Sequence, residues 1–261
     1  MIERIKDIVR EASKLMVADG FEINQKEGYA NIVTSSDVAV QDFLKEHLAE
    51  LLPGSGFLCE EEDMHDLTNE YTWIIDPIDG TANYSRGIRE CAICVGLKHH
   101  EEMEMSVVYL PRANELFHAI KGKGAYLNNR QIHVSDRPFQ NAILCTALAV
   151  YHKEYTQICS EIITTAFMQC NDIRRFGAAA PELCYLAMGR CELYFEYLLS
   201  PWDFAAASLV LTEAGGCLCD LEGNQPLMTK PSGIVAANSN ENLAKLVKIV
   251  KDAHAKLMIL E

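Results

Sequence analysis

The sequence predicts an α+β fold, with a largely antiparallel sheet in its first half and an α/β layer in its second. Three observations carry this. Two amphipathic helical patterns open the chain, short apolar runs punctuated by turn residues follow, and from about Ala142 strand-like and helical patterns alternate.

The first helix is read from Ile2, Ile5, Ile8, Val9, Ala12, Leu15 and Met16, which recur at helical spacing until Gly20. A second follows Ser35 or Ser36 and carries Val40, Phe43, Leu44, His47, Leu48 and Leu51 on one face before Pro53-Gly54. Strands are expected over Tyr71–Asp76, Glu90–Leu97, Met105–Leu110 and Glu115–Ile120, with turns at Pro111–Asn114 and Asn128-Asn129. The second half predicts a strand over Ala142–Ala149, a helix over Lys153–Met168, a strand over Asp172–Phe176, a helix over Ala180–Met188 and a strand over Cys191–Tyr197. A helix over Trp202–Ala214 stops at Gly215-Gly216, strands follow near Cys217 and over Ile234–Ala237, and a helix over Glu241–Leu257 closes the pattern. No repeat or flexible linker separates residues 1–140 from 141–261, so the two halves are expected to form one compact unit around a shared cleft.

Composition narrows the function. The 261 residues include 23 basic and 37 acidic side chains, a formal charge of −14, and 49 % are apolar. Disorder, collagen and small disulfide scaffolds are excluded by that balance. So negative a chain repels phosphate backbones, which argues against nucleic acid as a direct ligand and requires local cations for any anionic substrate. Met1–Asp7 mixes charges and lacks a signal-peptide core, and no uncharged apolar run reaches membrane-spanning length, so a cytoplasmic protein without membrane contact is expected. The ten cysteines are read as reduced core thiols. Zinc at Cys91-x-x-Cys94 is not expected, because residues three apart on a strand face opposite sides.

The chemistry concentrates in Trp73-Ile74-Ile75-Asp76-Pro77-Ile78-Asp79-Gly80-Thr81, an apolar strand ending in two carboxylates, a turn and a hydroxyl. Asp-Pro and Asp-Gly are ordinary turn dipeptides, but the next strand begins only near Glu90, too far for a two-residue hairpin. Pro77 fixes one backbone angle and Gly80 permits close approach, so the two carboxylates and the Gly80 and Thr81 amides can converge. Two like charges at about 4 Å repel by roughly 4 kcal/mol at an effective dielectric near 20. A hard divalent cation relieves that repulsion, and oxygen donors without a nearby histidine or thiolate point to Mg2+, or to Mn2+, and so to phosphoryl chemistry. Further acidic groups stand at Glu60-Glu61-Glu62-Asp63 and at Asp203, which sits at a predicted helix start where the helix dipole alone would favour it.

Together these segments resemble the inositol monophosphatase family of Mg2+-dependent, lithium-sensitive phosphatases over nearly the whole chain. One family signature matches Trp73–Tyr84 and the other Trp202-Asp203-Phe204-Ala205-Ala206-Ala207 on to Gly216. The acidic residue before the first signature falls on Glu60, the Val-Thr-x-x-Asp element on Val33–Asp37, a frequent lysine on Lys26, and the substrate turn on Arg174–Ala180. Cys59 and Ala207 stand where the family usually has glycine, and Pro181 follows the substrate turn, yet every ligand position is retained. The resemblance implies a layered α-β-α-β-α sandwich and a homodimer. It implies one ion on Glu60, Asp76 and the Ile78 carbonyl, a second on Asp76, Asp79 and Asp203, and a third, weaker one near Glu60. It gives Thr81, paired with Asp37, the task of orienting or deprotonating the attacking water. Asp79, Gly80, Thr81, Gly177, Ala178, Ala179, Glu196 and Asp203 would contact substrate. The implied substrate is a sugar or cyclitol phosphate monoester, with inositol-1-phosphate first. Fructose bisphosphate, histidinol phosphate and phosphoadenosine phosphate are alternatives, as is a regulatory role with the RNA-processing or transcription machinery on the same scaffold. The haloacid dehalogenase phosphatases also end a strand in aspartates, but with a single intervening residue where this chain has Pro77 and Ile78.

Overall fold

Periodicity places the outer helices, whose apolar residues recur every three or four positions, whereas the strand Tyr71–Asp79 and the helices Ala179–Ala187 and Pro201–Glu213 are buried along nearly their whole length and lie inside. In the computed structural model the order is α1 (Ile2–Ser13), β1 (Ile23–Gln25), β2 (Ile32–Thr34), α2 (Ser35–Leu51), β3 (Gly56–Cys59), β4 (Tyr71–Asp79), α3 (Thr81–Tyr84), β5 (Ala92–His99), β6 (Glu102–Leu110), β7 (Glu115–Ile120), β8 (Ala125–Leu127) and β9 (Arg130–Ile132). The second half runs β10 (Ile143–Thr146), α4 (Thr156–Phe167), β11 (Asp172–Arg174), α5 (Ala179–Ala187), β12 (Leu193–Leu199), α6 (Pro201–Glu213), β13 (Cys217–Cys219), β14 (Ser232–Ala237) and α7 (Asn240–Leu260). The structure describes residues 1–16, 20–26, 32–62 and 67–260, with side chains of the last helix to 256. Asp63 of the acidic run lies outside the described residues.

Strands β3 to β9 form a seven-stranded sheet in sequence order, antiparallel except for the parallel pair β3–β4. The second sheet has the order β11-β10-β12-β14-β13, parallel among its first three strands and antiparallel beyond. Alternation along β4 sends Trp73 and Ile75 against Ile5, Val9, Leu44 and Leu48 of α1 and α2. Ile74 points the other way, into a middle layer where α5 and α6 pack between the sheets with Phe204, Leu211, Tyr194 and Ile234. Beyond the second sheet, Ile158 and Ile162 of α4 and Leu246 and Val250 of α7 cover Leu144, Phe195 and Val235. The result is the expected α-β-α-β-α order.

The differences from the sequence reading are local. The strand expected to Ala149 ends at Thr146, and the one expected to Phe176 ends at Arg174, which frees both following segments to turn into a cleft. Cys91 lies before β5 rather than on it and packs with Ile78 and Tyr84, whereas Cys94 joins the middle layer. The cysteines are all unpaired. Among the described residues no helix is long and apolar enough to cross a membrane.

Candidate active site

Asp76 and Asp79 lie three residues apart, and on a regular strand their side chains would face opposite sides. A β-bulge prevents this. β4 pairs Asp76 with Cys94 and then Asp79 with Ala92, so one extra residue is accommodated at Pro77-Ile78, where proline offers no ladder donor. Both carboxylates consequently line one cleft of about 390 Å³ with Glu60, Ile78, Gly80, Thr81, Gly177, Ala178, Ala179, Glu196 and Asp203. Asp37 stands behind that wall and joins it through Thr81.

Gly80 turns the chain from β4 into α3 at φ +85°, and a Cβ there would meet Ala178 Cβ and the Glu90 carbonyl at 2.9 Å. Only glycine fits both the backbone and the space. The Thr81 hydroxyl that follows lies 3.1 Å from Asp37 Oδ1 and 3.0 Å from the Ile78 carbonyl, both acceptors. Asn83 ties this turn to the opposite wall by donating to the Glu90 and Phe176 carbonyls, both at 2.7 Å.

Two further carboxylates arrive as helix caps. Asp37 is the third residue of α2 and closes a capping box with Thr34, accepting from the Thr34 amide at 2.8 Å through Oδ2 and leaving Oδ1 for Thr81. Asp203 does the same in α6, where Oδ2 accepts from the Ser200 amide at 2.8 Å and Pro201 opens the helix. The dipole reading of Asp203 was therefore correct as far as it went, but the same side chain also lines the cleft. At the start of α5 the Ala180 amide donates to Asp79 Oδ2 at 2.6 Å.

The electrostatics are those of a crowded acidic site. Asp76 is 1 % exposed, and its Oδ1 has no hydrogen-bond partner among the described residues. Burial, reinforced by Glu60, Asp79, Asp203 and Asp37, pushes its carboxyl far above the usual range. Burial raises Asp79 to about 7, against the pull of the Ala180 amide and with help from Glu60. Enclosure in the cleft and the Asp79 and Glu60 charges raise Asp203. Asp37 is raised too, chiefly by burial, despite its bonds to Thr34. Lys26 lies 3.0 Å from Glu60 Oε1 and 2.5 Å from Glu61. Burial opposes its charge, but these carboxylates hold it above the usual lysine range.

An orphaned buried carboxylate oxygen amid oxygen donors is the arrangement a hard divalent cation satisfies. Glu60, Asp76, Asp79, Asp203 and the Ile78 carbonyl are the donors that fit one.

The sequence places Arg175 in the substrate turn without a task of its own, and it assigns no role to Tyr151, His152 or Glu182. The first three line the cleft. Glu182 is fully buried, and its Oε1 accepts from the Phe176 and Gly177 amides at 2.6 and 2.9 Å, which fixes the turn carrying Gly177. Its signal was a lone glutamate in the apolar run Ala179–Ala187.

The profile of the inositol monophosphatase family matches residues 2–255. The chain belongs to that family. A relative from Vibrio cholerae named Nus factor SuhB is 34 % identical over 243 residues, covering 92 % of this chain and 90 % of the relative. Among solved structures, the extragenic suppressor protein suhB of Bartonella henselae superposes with a TM-score of 0.88 at 29 % identity, over 96 % of this chain and 98 % of that one. An IMPase of Thermotoga maritima gives a TM-score of 0.85 at 26 % identity, over 97 % and 96 %. Membership in the family agrees with the resemblance read from Trp73–Tyr84 and Trp202–Gly216.

Proposed function

We propose that this chain is a Mg2+-dependent phosphatase that hydrolyses a sugar or cyclitol phosphate monoester, with inositol-1-phosphate as the first candidate. The observation that carries the reading is Asp76 Oδ1, buried without a partner among Asp79, Glu60 and Asp203. Two or three ions, Mg2+ or Mn2+, would be held by Glu60, Asp76, the Ile78 carbonyl, Asp79 and Asp203, and they supply positive charge for the phosphoryl group and an acidified water.

The chain's own groups do the positioning. Thr81 Oγ1, shared between Asp37 and the Ile78 carbonyl, orients the attacking water and relays its proton toward Asp37, whose raised affinity for protons suits that task. The Gly80 and Thr81 amides hold phosphate oxygens. Gly177, Ala178 and Ala179 border the leaving group, while Glu196 accepts from its hydroxyls. The halves 1–140 and 141–261 work as one unit around this cleft, and a cytoplasmic, lithium-sensitive homodimer completes the reading.

A phosphate-release screen tests it, with inositol-1-phosphate, fructose bisphosphate, histidinol phosphate and phosphoadenosine phosphate ranked by kcat/KM. Activity that survives chelator or Asp203→Ala overturns the metal assignment. The name Nus factor carried by the Vibrio relative favours a second reading, a regulatory role on the same scaffold. That reading sets aside the charge argument against nucleic acid as a direct ligand. A chain with no turnover on any of the four esters would favour it.

A further inference from the structure

Glu70, His99 and His100 stand at the opposite end of β4 from the cleft. Their ligand-capable side-chain atoms all lie within 4.8 Å of one another. His99 Nε2 is 3.0 Å from Glu70 Oε1, and the His99 ring is stacked on Tyr71 with centroids 4.4 Å apart and planes at 11°. The His100 ring centroid is 4.4 Å from that of His99. The His100 amide donates to the Glu70 carbonyl at 2.9 Å, and Lys98 Nζ donates to the His100 carbonyl, so the backbone beneath the cluster is held from two sides.

The turn itself is unusual. Three described non-glycine residues have positive φ; two are Asn114 and Asn128, the residue type such positions ordinarily take, and the third is His100 at +52°. Placing histidine in that conformation projects a second imidazole beside His99 at the tip of the β5–β6 hairpin.

We propose that Glu70, His99 and His100 bind a divalent ion of the zinc class. Two imidazoles and one carboxylate suit Zn2+, Ni2+ or Cu2+, whereas Mg2+ takes oxygen donors alone. Donors about 2.0–2.2 Å from such an ion sit roughly 3.3 Å apart in a tetrahedron, a contraction that the exposed Glu70 and His100 side chains make by small rotations around the half-buried His99. A bound ion clips the entry of β4 to the β5–β6 hairpin. Six residue steps along the strand lead from Glu70 to Asp76, roughly 20 Å, so the site is independent of the cleft.

The test is calorimetric titration of Zn2+ into the full chain in saturating Mg2+, which keeps the cleft carboxylates engaged. One equivalent is expected to bind the parent protein. His99→Ala and His100→Ala should each weaken it by about tenfold or more, and Glu70→Gln by less. Cu2+ in the same protein should show nitrogen hyperfine coupling that disappears in the His99→Ala/His100→Ala double variant. Equal Zn2+ binding by the parent and the double variant, or no binding by the parent at 100 μM, overturns the proposal. Thermal melts matching the parent's establish that the variants are folded.

Discussion

The two ends of strand β4 each lie beside side chains proposed to bind an ion, but under opposite conditions. At the cleft end Asp76 and Asp79 are 1 % and 7 % exposed, packed against other carboxylates, and Asp76 Oδ1 lacks a partner. At the hairpin end Glu70 and His100 are exposed and the donors contact one another. The cleft end therefore opposes folding until a cation or protons arrive, whereas the hairpin end folds without strain of that kind. Burial and donor chemistry together, not acidity alone, separate the proposed hard-ion site from the proposed borderline-ion site.

The largest effect should come from Asp76→Asn. It removes the carboxylate at the centre of the cleft, and loss of kcat by about a thousandfold or more is expected in a Mg2+ phosphate-release assay. The same substitution should raise the melting temperature of the metal-free protein near pH 8, because it deletes a buried charge. pH gives a parallel test. Asp79 moves from an ordinary 3.8 to about 7 on folding, so the native state binds the extra proton between those values. Stability of the metal-free protein must then fall as pH rises from about 4 to 7, and Mg2+ should restore it. A flat profile over that window would remove the contrast between the two ends.

Next in size is Thr81→Val. It deletes the hydroxyl shared by Asp37 and the Ile78 carbonyl, and kcat should fall about a hundredfold with KM nearly unchanged. Equal losses in kcat and in substrate affinity would place Thr81 in binding instead.

The layers were legible because they rest on periodicity: α2 ends at Leu51 and starts at Ser35, one or two residues earlier than expected because Thr34 rather than a serine caps it, and β7 spans Glu115–Ile120 as read. The cleft was legible where a motif concentrated it, at Asp76-Pro77-Ile78-Asp79. The bulge that turns both aspartates to one side was not, since pairing register depends on β5, a partner some fifteen residues away in sequence. Glu182 stands out in its apolar run, but its role was hidden for a related reason, because it is defined by the amides of Phe176 and Gly177 that fold back onto it. The short strands β1, β2, β8 and β9, each three residues, carry too few alternations to register as a pattern.

A smaller effect concerns the substrate. Arg175 is exposed on the cleft wall, and its charge works against the burial that raises Glu196 and Glu182. Guanidinium forks recognise phosphate and carboxylate bidentately, so Arg175→Ala should raise KM about tenfold for substrates bearing a second anionic group. Inositol-1-phosphate, with an uncharged leaving group, should be affected less. Equal changes for both would make Arg175 a general electrostatic contributor.

The smallest effect should come from the hairpin end. His100→Ala touches no residue of the cleft, so turnover with Mg2+ should stay within about twofold of the parent. Combined with Asp76→Asn, it should change the melting temperature additively, because groups more than about 10 Å apart without shared partners rarely couple. Non-additivity would mean that β4 transmits strain between its ends. The pleated ladder has a route for that, since Tyr71 stacks on His99 at one end of the strand and the bulge at Pro77-Ile78 lies at the other. In that event Zn2+ at the hairpin would alter the Mg2+ dependence of turnover, and the two ends would form one coupled device instead of two independent sites.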